Sequence, residues 1–214
     1  GKDPDKRKRE LKNTDFKREH HLKNVSCTSH LKSHTKEFQL DNIQRKLPDI
    51  YDGLNPARRK VIHGSRKKFL TNNAEIKVFQ LAGYIAEHMN YHHGSASLEK
   101  TMITIAQSYI GARNLPLLLP LSQFGSRYRG GKDHGASRYI KTKLNKDLVS
   151  VLFNREDDYL LEYTRDEGVI NEPVYYVPIA PLSIMESLEL PATGWKFAGY
   201  ARDWNKLYKI LIKL

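Results

Sequence analysis

Two side chains that could act together on a phosphate stand side by side in "GGKDHGASRYIKTKL", residues 130–144: Arg138 and Tyr139. Tyrosine hydroxyls ionise near ~10, so they are poor nucleophiles at neutral pH unless a cation stabilises the phenolate. Arg138 offers a planar guanidinium that can grip phosphate oxygens in pairs. The pair therefore holds the parts for tyrosine attack on a phosphodiester. The chain has 12 tyrosines, and most tyrosines pack rather than react. Residue types alone leave both readings open.

Two further stretches carry chemistry of the same kind. "YHHG" runs from Tyr91 to Gly94 and precedes a helical pattern. Helix starts attract anions. His93 is suited to donate to a phosphate oxygen or to shuttle a proton; the ordinary use of such a histidine is capping or packing. "RKLPDIYDGLNPARRKV" presents Arg45, Arg58, Arg59 and Lys60 as candidate phosphate clamps, against the plainer reading of a solvated helix face. Phosphoryl transfer often uses Mg2+ on clustered carboxylates. No acids here follow such a spacing, so a metal for this chemistry would have to come from elsewhere.

The charge distribution says where a polyanion would lie. The 214 residues carry a net charge of +12, which favours nucleic acid as a partner. Residues 51–70 are locally +5 through Arg58, Arg59, Lys60, Arg66, Lys67 and Lys68 against Asp52. Residues 121–150 are again +5, and residues 151–175 are −5. A phosphate backbone is drawn to the first two and repelled by the third. The expected contact face lies within 45–145, with 151–175 turned away. The single cysteine, Cys27, allows no intrachain disulfide, which suits a reducing compartment. No stretch approaches the ~20 apolar residues of a membrane span, and the charged start "GKDPDKRKRELKN" lacks a signal core. An intracellular protein with no membrane partner is expected.

The elements that must position these residues follow from periodicity. Residues 1–25 read as a helical tail or linker. A helix from Thr35 places Phe38, Leu40, Ile43 and Leu47 on one stripe and stops at Pro48. Pro56 suits the first turn of a second helix, "PARRKVIHGSRKKFL". There Val61, Ile62, Phe69 and Leu70 should face inward and the basic residues outward. "KVFQLAGYIAEHM" buries Val78, Leu81, Ala82 and Ile85. "SLEKTMITIAQSYI" puts Leu98, Met102, Ile105 and Tyr109 on one stripe, capped by Ser95 or Ser97. Two short helices joined by a Gly-containing turn fit a helix-turn-helix, whose second helix normally enters a DNA groove. "LPLLLPLSQFGSRYRGGKDHGASRYIKTKL" reads as extended segments around a basic, glycine-rich wing. "VYYVPIAPLSIM" reads as an apolar strand, and "DWNKLYKILIKL" as a final helix whose uncapped apolar stripe suggests a longer chain.

These stretches also occur in a known order. "LPDIYDGLNPARRKV", "KVFQLAGYIAEHMNYHHGSASL", "AQSYIGARNLPLLLPLSQFGSRYRGGKDHGASRYI" and "EPVYYVPIAPL" resemble the breakage-reunion region of type IIA DNA topoisomerases. The form is similar to the eukaryotic and large-DNA-virus branch, because it reads YHHG and FGSR..GGKD. "ESLELPATGWKFAGYARDW" departs from the usual Gly-Ile-Gly-Thr-Gly-Trp-Ser pattern in the manner of the African swine fever virus type.

The resemblance implies an α+β fold. A winged-helix domain (helix-turn-helix plus Gly-rich wing) over 26–160 would follow the end of a TOPRIM domain at 1–25. It would lead into the start of a mixed α/β tower domain at 161–214. Tyr139 matches the tyrosine that attacks DNA and stays linked to the 5′ phosphate. Arg138 matches the arginine that holds that phosphate. His93 and Arg59 match residues serving the same centre. Arg45 matches a phosphate-contacting arginine, and Lys132, in the 125–133 loop, matches the wing. Arg58, Lys60, Lys77, His92, Arg127, Arg129 and Lys141 complete the expected contacts to double-stranded DNA.

The family works as a homodimer and in either the nucleus or a viral replication site. Its Mg2+ and ATP would be bound outside this chain, by TOPRIM and ATPase regions of the same enzyme. The chain then reads as a fragment, inactive by itself. The alternative class is a non-catalytic winged-helix module that binds duplex DNA.

Overall fold

The computed structural model describes residues 3–12, 24–109, 111–112, 115–186, 188–192 and 195–213. Two compact units result, residues 1–44 and 45–214.

The first unit holds α1 (Pro4–Lys12), α2 (Cys27–Lys32) and most of α3 (His34–Lys46). Ser26 opens α2 by accepting a hydrogen bond from the Ser29 N–H at 3.1 Å. The expected tail helix is realised in α1, while residues 13–23 lie outside the described residues. α3 starts where its periodicity predicts, but Phe38 on the expected stripe is exposed and the polar Asn42 is buried instead.

The second unit is built on α4 (Pro56–Lys68), β1 (Ile76–Lys77), α5 (Val78–His88) and α6 (Ser95–Ala106), followed by β2 (Leu118–Pro120) and β3 (Lys141–Leu144). Asn55 caps α4 by accepting from the Arg58 N–H, and Pro56 supplies the preset φ of a first turn. The three helices pack around Val61, Ile62, Val78, Leu81, Ile85, Leu98, Met102 and Ile105, all essentially without solvent contact. β3 runs antiparallel between β1 and β2, with Lys141 opposite Lys77 and Leu144 opposite Leu118. Tyr109 falls beyond α6, whose N-cap is Gly94 rather than a serine side chain.

α7 (Lys146–Leu152) follows, then the hairpin of β4 (Tyr163–Asp166) and β5 (Val169–Pro173). The short α8 (Leu182–Met185), the hairpin of β6 (Leu188–Ala192) and β7 (Trp195–Gly199), and α9 (Trp204–Leu211) complete the described chain. The apolar run "VYYVPIAPLSIM" is not a strand: residues 174–181 have no ladder partner and the run ends in α8. Pro178 and Pro181 each lack an N–H, and Tyr176 turns its ring into the core while its N–H donates to Asp52 Oδ2.

α4 departs most from the expected amphipathic helix. Leu70 is half exposed, whereas Arg58, Arg59 and Arg66 are buried. Their charges are met by acids from distant parts of the chain. Arg58 pairs with Glu186 at 2.8 Å, Lys60 with Glu172 at 2.9 Å and Arg66 with Asp158 at 2.9 Å. The acidic stretch is therefore not turned away from the first basic cluster; it folds onto that cluster and neutralises it. Burying a charge is costly unless it is paired, and each of these pairings joins residues far apart in sequence.

Candidate nucleic-acid interface

Arg138 and Tyr139 lie in a tight turn just before β3. The Tyr139 N–H donates to the Ala136 carbonyl at 2.8 Å. The same turn caps α5. The N–H groups of Val78 and Phe79, which have no partner within their own helix, donate to the carbonyls of Ile140 at 3.1 Å and Ser137 at 3.2 Å. Ser137 also donates its hydroxyl to Glu99 Oε2 on α6 at 2.6 Å. The turn is thus tied to both helices, and its two functional side chains are left in solvent. Tyr139 is 68% exposed, with the Arg138 guanidinium 5.0 Å from its ring centre. Lys77 and Lys141 flank the turn on paired strands. Lys141 also reaches Glu75 at 3.4 Å, an exposed pair of little energetic weight.

The β2–β3 connection carries Arg127, Arg129 and Lys132, all exposed. It is braced from within. Asp133 accepts from the Ser126 N–H at 2.8 Å and from its hydroxyl at 2.7 Å. These bonds, the backbone one foremost, hold the Asp133 carboxyl below the usual carboxylate range. The buried Gln107 amide donates to the carbonyls of Phe124 and Gly131. Gly125 and Gly131 have φ of +93° and +74°, and a Cβ on Gly125 would sit 2.6 Å from the Gly131 carbonyl oxygen. Only glycines allow the two limbs of this loop to close so tightly.

A second group surrounds a cleft of about 450 Å³ lined by Arg45, Lys60, His92, His93, Ser97 and Asp166 among others. His93 Nε2 lies 3.4 Å from Arg45 Nη1, and its ring meets Tyr91 edge-on at 5.4 Å. His92 Nε2 contacts Asp166 Oδ2 at 2.7 Å. Lys60 Nζ donates to the Met89 carbonyl and pairs with Glu172.

The candidate residues therefore separate into three places. Arg138, Tyr139, Lys77 and Lys141 share one exposed edge. Arg45, His92, His93 and Lys60 share the cleft. Arg58 and Arg59 are in the core, Arg59 held by both Asp52 oxygens, and present almost no surface to a ligand. No hydrogen bond or ring contact between described side chains joins Tyr139 to His93.

Sequence reasoning missed the residues that hold these groups: Asp52, Glu99, Gln107, Asp133 and Asp166. Asp52 and Asp133 lie inside the quoted motifs, and that proximity was a usable signal. Glu99 and Asp166 act across long sequence separations. Among the described residues, no three of His, Cys, Asp and Glu gather in a set that could hold a metal ion. No described helix is long and apolar enough to cross a membrane.

Comparison with known proteins bears on the same residues. The DNA gyrase/topoisomerase IV family model matches residues 45–198. DNA topoisomerase 2 of African swine fever virus is 42% identical over 193 residues, covering 90% of this chain and 16% of that protein. DNA topoisomerase 2 of Meyerozyma guilliermondii is 48% identical over 155 residues, 72% of this chain and 11% of its own length. The crystal structure of the Plasmodium falciparum topoisomerase II DNA-binding, cleavage and re-ligation domain superposes with a TM-score of 0.81 at 38% identity, covering 96% of this chain and 28% of that one. The chain spans about a sixth or less of these full-length relatives. A match over this much of the chain, through every motif that carries the exposed Arg–Tyr turn and the histidine cleft, places it in the type II DNA topoisomerase family.

Proposed function

We propose that this chain is the DNA cleavage and religation region of an ATP-dependent type IIA topoisomerase. The observation that carries the reading is the Arg138–Tyr139 turn: an exposed tyrosine beside an exposed arginine, held by backbone bonds at the start of α5. The positive end of a helix dipole favours an anion there.

In this reading α4 to α6 with the three-stranded sheet form a winged-helix domain, and the Ser126–Asp133 loop is its wing. Arg127, Arg129 and Lys132 lie against the backbone of double-stranded DNA. The Tyr139 hydroxyl loses its proton and its oxygen bonds to the scissile phosphorus; the 3′ oxygen leaves, and a 5′-phosphotyrosyl link remains. Attack by the 3′ hydroxyl reverses the step, so the bond energy is conserved and religation needs no ATP. Arg138 and His93 stabilise charge on the phosphate oxygens, with Arg45 behind His93. Donors of this kind are typically worth ~3 kcal/mol of barrier each.

Arg59 has a different role here. Its guanidinium is engaged by Asp52, so it supports the start of α4 rather than reaching the phosphate. Arg58 likewise supports the fold through Glu186. The whole enzyme acts as a homodimer in a DNA-containing compartment, nuclear or a viral replication site. Its TOPRIM and ATPase regions bind Mg2+ and ATP. The residues described in this chain do not form a metal site, so no step above is routed through one.

The test uses the full-length enzyme with supercoiled plasmid, stopped with denaturant and digested, and the DNA-linked peptide mapped by mass spectrometry. A 5′-phosphate adduct on Tyr139 is expected. Duplex binding without an adduct would favour a non-catalytic winged-helix module instead.

A further inference from the structure

The acidic β4–β5 hairpin grips the histidine loop at three points. Asn90 sits in the left-handed region with φ +45°, and its side-chain amide donates to the Asp166 carbonyl at 3.2 Å. The His92 ring donates through Nε2 to Asp166 Oδ2 at 2.7 Å, the only sense open to a ring nitrogen facing a carboxylate. Behind them Lys60 bridges Glu172 of β5, at 2.9 Å, to the Met89 carbonyl at the end of α5, at 2.7 Å.

The hairpin is stiff where it does this. Its turn residues Glu167 and Gly168 have φ of +49° and +80°, the left-handed pair that matches the twist of two antiparallel strands. The Thr164 hydroxyl donates to the Glu172 carbonyl and ties the strands together. Asp166 is the last residue of β4, immediately before that turn. His93 follows His92 directly, so the peptide that carries the His93 ring is anchored through the neighbouring ring.

We infer that Asp166 is a positioning residue for the cleavage reaction: through His92 and Asn90 it fixes the loop that aims His93. This rests on the role given to His93 above. The pair is exposed, 60% on His92 and 40% on Asp166, and exposed pairs add little to folding. Its effect should therefore fall on geometry, where a displacement of about 1 Å can cost ~10²-fold in rate.

The experiment compares Asp166→Ala, His92→Ala, the double variant and His93→Ala in the full-length enzyme. It reads single-turnover phosphotyrosine formation, duplex affinity and the thermal midpoint. Asp166→Ala is expected to slow cleavage by roughly 10- to 100-fold, with duplex affinity within about twofold and the midpoint unmoved. It should cost little more once His92 is alanine, because both changes cut one linkage. Asp166→Glu should recover part of the rate. Independent, additive losses, a rate that falls only as the midpoint falls, or an unchanged rate in Asp166→Ala would each overturn the positioning role. If that happens while His93→Ala remains impaired, the role of His93 stands and only the role of Asp166 falls. Full cleavage by His93→Ala would remove both.

Discussion

Arg59 and Asp52 form a two-pronged ion pair in the interior, with Nε 2.7 Å from Oδ2 and Nη2 2.9 Å from Oδ1. Asp52 has no solvent exposure, and its oxygens also accept the N–H groups of Leu54 and Tyr176. One carboxylate thus joins the turn before α4, the helix itself and the segment after β5. Asp52→Ala strips four hydrogen bonds and strands a guanidinium. Breaking a buried pair costs about 3–5 kcal/mol. Urea denaturation should show that loss as a lower midpoint with an unchanged slope.

Tyr139→Phe removes one oxygen from a side chain that is 68% exposed and whose ring lies beside the Arg138 guanidinium. Covalent DNA linkage should disappear, while duplex affinity and stability stay within experimental error of the parent. Retained linkage in this variant would move the nucleophile elsewhere.

Arg138 and Lys132 should separate chemistry from binding. Arg138→Ala is expected to cut the cleavage rate at least ~100-fold by removing a donor to the reacting phosphate. Lys132→Ala touches an exposed cation on the braced loop. It should weaken binding to all duplexes alike and lower the slope of log affinity against log salt by about one. Measuring both constants for both variants over a salt series decides the assignment.

Acid should destabilise the second unit through His63. Burial first, and then Lys67, Arg66 and Lys60, push its ring down to about 3 from an ordinary 6.5. The folded ring therefore stays neutral where the unfolded one takes up a proton. Its contribution is complete above about pH 6.5 and is lost as pH falls from there toward 3. Stability measured by denaturant titration across that window should fall with a slope of at most about 1.4 kcal/mol per pH unit from this group. His63→Phe should remove that part of the slope.

By itself the sequence determined the local features. The Asn55–Pro56 start of α4, the apolar face of α5 and the glycine-rich basic loop all follow from spacings of four residues or fewer. So does the exposed Arg138–Tyr139 neighbourhood, because helix periods, caps and left-handed glycines are short-range rules. The ordered motifs also carried the family.

Tertiary structure decided which charges were left for a ligand. Arg58, Arg59, Lys60 and Arg66 look alike on paper as an outward basic face, yet each is met by an acid. Three of those acids lie more than ninety residues away in sequence. Asp166 reaches His92 across a comparable separation. A charge run reveals the sum of its own charges and nothing of its partners, since ion pairing depends on distance in space. Folding drew the first basic cluster into the interior and left the second, around residues 127–141, facing solvent.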